Sequence, residues 1–564
     1  MFSSITFFIS LKIFYPIYIS NEIIITYGFH PFDICSKNPD LWNLIKITYI
    51  FTSIFSFFVF YSLVYTSFLE SLISSIFIKS NKNTKLKVND KNQINKSNLY
   101  LLIGYDKEKH QKIYIPEKSL FQNILVTGTI GSGKTSSSMY PFTKQLMEYN
   151  CNNPTSKIGM LILDVKGNYS TQVSKFADEL SLSKDLVIIS LNSDVYYNPL
   201  HKPHLKPQIL ANRLKTILLL FSENNSESYW IDKAEEILTE CIKFCRLYNN
   251  GYVTFVELHK LITIPNYYQK KLEILKNMFI NSKFNTSQIH DLNSSLDFFE
   301  KEFSTLDART KAILISEITR ITNVFVSDYD VVKTFCSPIE KLSFHGFDDI
   351  ISKGKIVVLN MNISEYSILS GIIATYLKLD FQSEVISNLS KNISKTSAFI
   401  CDEYDKFASK TDSEFFSMSR EAKCINIVST QSYSSLKTTL KDDAFVKVTI
   451  QNLINKIWYR TDDVYTIEEV QKQIGKEEKS RVSKSISENA KETRFSYFTN
   501  SFNSENSNIS ESYSTYTQND FIYESNFFSQ NLETFTALTF LSDGDKILKP
   551  TKLNMLPYFK NTKL

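Results

Sequence analysis

The sequence has little arginine, no strong excess of charge of either sign, and no grouping of cysteine with histidine. Its 564 residues carry a formal net charge of only +4, so overall charge does not point to a nucleic-acid partner. Only eight of the 63 basic residues are arginine, which makes each arginine worth inspecting. The seven cysteines and seven histidines are scattered, and none has the spacing of a metal site. The composition favours a reducing compartment for most of the chain.

The first 80 residues are apolar and predict a membrane anchor with two transmembrane helices (1–80). Residues 47–69 contain no charged side chain, and their length is enough to cross a hydrocarbon core of about 30 Å. A buried core helix is the alternative interpretation of this stretch. Residues 1–27 predict a less regular first span, because Lys12 interrupts it. No basic segment precedes the apolar part, so a cleaved signal peptide is not expected.

The lysines indicate how the chain is oriented in the membrane. Six of them lie between positions 79 and 96, and residues 81–98 are predicted to be a basic linker. The predicted external loop between the two spans, near residues 28–41, carries only one lysine, Lys37. Since positive residues remain on the cytoplasmic side, we expect a multi-pass protein of the bacterial inner membrane with most of its chain in the cytoplasm.

A glycine loop is the strongest chemical signal in the chain. Residues 128–135 read GTIGSGKT and match the phosphate-binding pattern G-x-x-x-x-G-K-[ST] at every fixed position. An apolar run precedes the loop and a potential helix follows it, so backbone N–H groups and a helix N-terminus are predicted to bind the phosphates of ATP. Lys134 is expected to neutralise the β- and γ-phosphates, and Thr135 to hold Mg²⁺ through its hydroxyl. The predicted nucleotide-binding residues are Gly128, Thr129, Ile130, Gly131, Ser132, Gly133, Lys134 and Thr135.

Two acidic positions at predicted strand ends are candidates to complete this site. Asp164 ends one apolar run, and Asp402 ends another with Glu403 directly after it. The Asp-Glu pair suits hydrolysis better, because Asp402 can orient Mg²⁺ while Glu403 polarises the attacking water. On the alternative interpretation, Glu403 is only a charge near a helix N-terminus.

Two further polar residues are candidates for contact with the γ-phosphate. Gln431 follows a predicted strand, where an amide can touch the γ-phosphate or its water. Arg420 lies eleven residues earlier, and its guanidinium is planar, permanently charged and bidentate. Supplied from a neighbouring subunit, such an arginine raises the rate by roughly 10³–10⁵. A surface salt bridge with Glu421 or Glu414 is the alternative for Arg420.

Short apolar runs alternate with helical patterns after residue 99 and predict an α/β fold with a parallel-rich sheet. The core is predicted to be split (99–203 and 346–564), because residues 204–345 have helical periodicity and form an inserted all-helical domain. Residues 476–520 are rich in Ser, Asn, Lys and Glu and predict a mobile polar excursion. The strand candidates are 124–127, 158–163, 186–191, 356–360, 398–401, 425–430, 457–459 and 535–541.

The ordered motifs resemble those of the type IV secretion coupling proteins, the TraG/TraD branch of the FtsK/HerA group of DNA-pumping ATPases. Besides the glycine loop, the matching segments span about residues 99–465 and read LLIG (101–104), LDVKGN (163–168), YNPL (197–200), CDEYDKFAS (401–409), STQSYSSLK (429–437) and NLINKIWYRTDD (452–463). The resemblance implies a RecA-like P-loop NTPase core behind N-terminal transmembrane helices. Asn168 departs from a position that is often acidic in the family, which weakens a catalytic role for Asp164.

The resemblance also implies a function and partners. It implies a homohexameric ring on the inner membrane that uses ATP and Mg²⁺ to couple a relaxase–single-stranded DNA complex to the channel subunits of a type IV secretion system during conjugation. Arg420 is then expected to reach the nucleotide of the neighbouring subunit. Three alternatives remain: a receptor for secreted protein effectors, a membrane adaptor whose assembly is controlled by nucleotide, and a double-stranded DNA pump.

Overall fold

The computed structural model describes residues 99–559 with gaps at 165, 192, 222–227, 282–283, 362, 392–394, 489–493, 497–500 and 504–508, together with four isolated positions in the first 58 residues. Lys96–Leu564 forms one compact unit. The strands of this unit are β1 (Tyr100–Asp106), β2 (Gln111–Pro116), β3 (Ile124–Thr127), β4 (Gly159–Leu163), β5 (Leu186–Ile189), β6 (Ile356–Leu359), β7 (Ser397–Cys401), β8 (Cys424–Thr430), β9 (Asn455–Trp458), β10 (Lys476–Glu488), β11 (Arg494–Ser496), β12 (Ser501–Asn503), β13 (Ile509–Phe521), β14 (Thr536–Phe540) and β15 (Thr551–Met555).

Within the described residues, eleven of these strands form one sheet in the order β2-β1-β15-β14-β9-β3-β8-β7-β4-β6-β5. The seven strands from β9 to β5 are parallel to one another. β14, β15, β1 and β2 extend the sheet with antiparallel pairs. The prediction of an α/β fold with a parallel-rich sheet is therefore confirmed.

The central strands are buried on both faces because their residues form continuous apolar runs. Every residue of β3, β4, β6, β7 and β8 is buried. The alternate side chains of each strand enter different apolar cores: Leu125 belongs to one, and Ile124 and Val126 to the other. Burial on both faces fixes the register of these strands and the position of the loops that follow them.

Helices cover both faces of the sheet and fill the interval between β5 and β6. The helices are α1 (Glu117–Leu120), α2 (Tyr140–Glu148), α3 (Tyr169–Glu179), α4 (Pro207–Phe221), α5 (Ser228–Tyr248), α6 (Phe255–Thr263), α7 (Tyr267–Asn281), α8 (Thr286–Asp297), α9 (Ala308–Val326), α10 (Tyr329–Phe335), α11 (Phe347–Lys353), α12 (Ile363–Ser390), α13 (Asp412–Met418), α14 (Tyr433–Leu440), α15 (Asp443–Asn452), α16 (Val464–Ile474) and α17 (Ser525–Ser529). The helices α4 to α10 lie between residues 204 and 345, where the sequence predicts an inserted helical domain. Thr254 caps α6 by accepting a hydrogen bond from the backbone N–H of Glu257.

Residues 476–520, predicted to be a mobile polar excursion, contain two long paired strands in the described part. β10 and β13 pair antiparallel over thirteen residues each, from Lys476 opposite Phe521 to Glu488 opposite Ile509. The composition gave no sign of this pairing, because serine side chains on both strands leave no apolar periodicity. Val482, Ile486 and Tyr513 of this ribbon are exposed.

Both predicted transmembrane spans, 1–27 and 47–69, lie outside the described residues apart from isolated positions. Among the helices that the structure does describe, none combines the length and the hydropathy needed to cross a bilayer.

Candidate functional site

The glycine loop lies at the carboxyl edge of the parallel sheet, where β3 is flanked by β8 and β9. The backbone N–H of Gly128 donates to the Thr430 carbonyl at 3.3 Å, and that of Thr129 donates to the Arg460 carbonyl at 2.9 Å. A Cβ on Gly128 would lie 2.6 Å from the Cβ of Tyr459. The two strands beside β3 therefore hold the start of the loop, and only glycine fits at its first position.

The loop continues into a short π-helical turn, Thr135–Met139, which leads directly into α2. The hydroxyl of Tyr459 lies 2.8 Å from Ser137 Oγ and 2.7 Å from Ser138 Oγ, deep in the core. These hydrogen bonds from the buried side of the turn connect it to Tyr459. No local feature of the sequence marks this contact, and the sequence analysis missed it.

Lys134 points back into the loop and is only 8% exposed. Its Nζ donates to the carbonyl of Gly128 and, at 3.2 Å, to that of Thr129. Burial lowers the pKa of this ammonium, and the negative charges of Asp402 and Glu403 partly oppose the shift. Lys134 has no salt bridge to any carboxylate in the described part of the chain, so its charge is available to an anionic ligand in the loop.

The acidic strand end meets the glycine loop directly. Thr135 Oγ1 donates to Asp402 Oδ2 at 2.8 Å. The other carboxylate oxygen accepts from the Ser429 hydroxyl and, at 3.1 Å, from the backbone N–H of Glu403. Asp402 is 2% exposed. A threonine hydroxyl beside a buried carboxylate supplies the oxygen ligands that Mg²⁺ prefers near a nucleotide, so these residues fit the expected ion.

Glu403 stands next to this pair in an unusual backbone conformation. Its φ of 51° and ψ of 48° are left-handed, which costs roughly 1–2 kcal/mol for a residue with a side chain. Its Oε1 pairs with Lys166 Nζ at 2.7 Å. Burial lowers the pKa of Lys166, but the bond to Glu403 outweighs that effect and leaves the pKa raised. Sequence reasoning did not pair these two residues, which are far apart in the chain.

Asp164, the less favoured acidic candidate, lies beside Asp402 because β4 and β7 are neighbours in the sheet. Its oxygens accept from the backbone N–H groups of Lys166 at 3.1 Å and Tyr169 at 3.2 Å. Burial raises the pKa of Asp164, these hydrogen bonds lower it, and the nearby Asp402 raises it further. Both oxygens therefore serve the turn that leads into α3.

The structure places Gln431 and Arg420 at opposite ends of strand β8. Gln431 follows Thr430, whose carbonyl accepts from the backbone N–H of Gly128, so the backbone of Gln431 lies next to the start of the loop. Arg420 precedes β8, and the seven residues of that strand separate it from the loop by about 20 Å. Arg420 is exposed and lines a cavity of about 410 Å³ with Phe416 and Asn123. It forms no ion pair with Glu421, Glu414 or any other described carboxylate.

Comparison with known proteins adds a match to a family model over part of the chain and a shared fold over most of it. Residues 397–525 match a family model described as the TraM recognition site of TraD and TraG. The chain superimposes on the bacterial conjugative coupling protein TrwB in complex with ADP and Mg²⁺ with a TM-score of 0.54 at 12% identity, covering 81% of this chain and 94% of TrwB. The chain resembles a type IV coupling protein.

Two other TrwB structures give the same result. The complex with a non-hydrolysable ATP analogue has a TM-score of 0.53 at 12% identity and covers 81% of this chain and 95% of TrwB. The sulphate complex has a TM-score of 0.53 at 13% identity and covers 81% and 94%. At these identities the match to TrwB shows a common fold. No curated protein sequence matches the chain.

Proposed function

We propose that the chain is an ATPase that binds MgATP in the glycine loop and hydrolyses it with Glu403. The hydrogen bond from Thr135 to Asp402 carries this proposal, because it joins the loop and the acidic strand end into one site. The resemblance to TrwB, which was crystallised with ADP and Mg²⁺, supports the same ligands.

Each side chain has a role that follows from its position. Lys134 binds the β- and γ-phosphates, and its burial strengthens that interaction because water does not screen it. Thr135 and Asp402 would hold Mg²⁺, which supplies positive charge next to the phosphates. Glu403 orients the attacking water and accepts its proton, and Gln431 contacts the same water or the γ-phosphate.

The wider function proposed is coupling of a relaxase–single-stranded DNA complex to a type IV secretion channel during conjugative transfer. Two observations support it: the match of residues 397–525 to the TraM recognition region, and the fold of a conjugative coupling protein over most of the chain. The proposal includes anchoring in the inner membrane and assembly as a homohexamer. In such a ring, Arg420 would complete the site of the neighbouring subunit, which agrees with its distance from its own loop.

The test compares Lys134→Ala with Lys144→Ala, a partly exposed lysine on α2 that pairs with Glu179. The full-length protein, purified in detergent, is assayed for ATP hydrolysis with and without single-stranded DNA. We expect DNA to stimulate the wild type and Lys144→Ala, and Lys134→Ala to lose at least a hundredfold in rate. A wild-type hydrolysis rate that does not change when single-stranded DNA is added would contradict the coupling function.

A transfer assay in cells separates cargo classes. Deletion of the gene should abolish plasmid transfer, and Lys134→Ala should fail to restore it. If the deletion strain still transfers the plasmid but no longer secretes proteins, the cargo is protein effectors and not DNA. Full restoration of transfer by Glu403→Gln would instead show an adaptor that needs no turnover.

A further inference from the structure

A fully buried ion pair lies directly behind the acidic strand end. Lys378 Nζ, on α12, contacts Asp412 Oδ2 at 2.7 Å, and both side chains are 0% exposed. The same ammonium donates to the Phe407 carbonyl and, at 2.8 Å, to Ser409 Oγ. Gln382 on the next turn of α12 donates to Asp412 Oδ1 at 3.0 Å. Every acceptor of this cluster belongs to the segment between residues 407 and 412.

The carboxylate of Asp412 collects donors from the chain that leaves the active site. Tyr404, the residue after Glu403, donates its hydroxyl to Oδ2 at 2.6 Å. Ser409 donates its backbone N–H to Oδ2 at 2.9 Å and its hydroxyl to Oδ1 at 3.0 Å. Asp412 therefore ties both ends of the loop 404–409 to the start of α13.

The loop is also fixed on the side of the sheet. Thr430 Oγ1 donates to Asp405 Oδ1 at 3.1 Å, and Thr439 donates to the Asp405 carbonyl at 2.7 Å. Glu403 thus lies between Asp402, which is bonded to the glycine loop, and the segment 404–409, which is bonded to Asp412, Lys378, Thr430 and Thr439. Its left-handed backbone persists because the surroundings determine it, which is the usual condition for strain at a functional site.

Stability alone gives little reason for such a pair. A buried ion pair has a desolvation cost that often equals or exceeds its attraction, and apolar residues in its place are often neutral or stabilising. A buried polar network does fix one arrangement of the groups bonded to it. We infer that Asp412, paired with Lys378, is a positioning unit that holds Glu403 in place through Tyr404. This inference rests on the proposed ATPase function, and Asp412 itself touches no reacting atom.

The chain contains a matched control for this cluster. Asp380, two residues after Lys378, is also buried and pairs with Lys202 at 2.7 Å and Arg213 at 2.8 Å. Tyr197 donates its hydroxyl to Asp380 Oδ2 at 3.0 Å. Tyr404 and Tyr197 are thus two fully buried tyrosines that each donate to a buried, ion-paired aspartate. Only Tyr404 adjoins Glu403, whereas the cluster of Asp380 adjoins the start of the helical segment 204–345.

The experiment compares Tyr404→Phe with Tyr197→Phe in the full-length protein. Thermal midpoint, kcat and KM for ATP, and Kd for a fluorescent ATP analogue are measured for both. Each variant should lower the thermal midpoint, because each removes a buried hydrogen bond. Tyr404→Phe should also lower kcat about tenfold with Kd unchanged, because the base is displaced while the phosphate site is intact. Tyr197→Phe should leave kcat within twofold of the wild type.

Equal kcat values for the two variants would overturn the inference, as would a kcat loss in Tyr404→Phe that is matched by weaker nucleotide binding. If Tyr404→Phe does not fold, Ser409→Ala decides the matter, because it removes one donor to Asp412 and one acceptor from Lys378. It should lower kcat with Kd unchanged, and a wild-type kcat would contradict the inference. A wild type that binds ATP but never hydrolyses it is a different outcome, which defeats the proposed ATPase.

Discussion

Thr135 Oγ1 donates to Asp402 Oδ2 at 2.8 Å, although 267 positions separate these residues in the sequence. The contact exists because β3 and β7 both lie beside β8 and end at the same edge of the sheet. The phosphate-binding loop and the carboxylate are therefore joined by a single hydrogen bond.

Glu403→Gln should separate binding from turnover. Glutamine has almost the same shape but cannot accept a proton from water, so ATP should bind with wild-type Kd while kcat falls by about 10²-fold or more. Glu421→Gln, an exposed residue, is the control and should behave as wild type. Both quantities are measured by single-turnover hydrolysis and by titration with a fluorescent analogue. A wild-type kcat in Glu403→Gln would remove this residue from the mechanism.

If Arg420 acts on the site of the neighbouring subunit, as proposed, Arg420→Ala should abolish hydrolysis without weakening nucleotide binding. Mixing Arg420→Ala with Glu403→Gln should then restore measurable activity, since some interfaces would combine an intact base with an intact arginine. Arg309→Ala, an exposed arginine on α9, serves as the control. If the mixture is as inactive as its components, Arg420 does not act between subunits.

The free energy of unfolding should depend on pH because Lys456 is buried. Burial lowers the pKa of Lys456 from its ordinary value of 10.5 to about 8, and the side chain is 2% exposed. Between about pH 8 and pH 10.5 the unfolded chain binds more protons at this site than the folded chain, so stability rises with pH through that window. Below about pH 8 both states are protonated, and the cost of the buried charge is fully present.

Lys456→Met should therefore be more stable than wild type below about pH 8, by up to about 3 kcal/mol from the shift in pKa. The difference should shrink towards zero near pH 10.5. Thermal midpoints of the full-length protein, taken across this range with the exposed Lys472→Met as control, measure the effect. A difference that is constant with pH would show that the lysine is not buried as a charge.

Much of the central sheet could be predicted because its strands are buried on both faces. A continuous run such as that of β4 marks such a strand, since any polar residue there would need a partner in the core. β1, β2 and β15 were missed because each lies in the antiparallel part of the sheet and mixes exposed with buried positions. Their pattern resembles that of loops with scattered apolar residues.

The chemistry of the site was visible in the sequence where one residue type is obligatory, as in the glycine loop. The relations between distant residues were not. Neither the Lys166–Glu403 pair nor the support of the helix start by Tyr459 has a local signal, because each depends on strand order. The left-handed conformation of Glu403 was equally hidden, since glutamate gives no sign of it.

The most direct test of the central claim measures how Mg²⁺ changes nucleotide affinity in Thr135→Ala and Asp402→Asn. The Kd of the full-length protein for a fluorescent ATP analogue is determined with Mg²⁺ and with EDTA. Mg²⁺ should tighten binding to the wild type, and both variants should lose most of this effect while their affinity without Mg²⁺ remains that of the wild type. Wild-type dependence on Mg²⁺ in Asp402→Asn would show that the acidic strand end and the glycine loop do not share one magnesium-nucleotide.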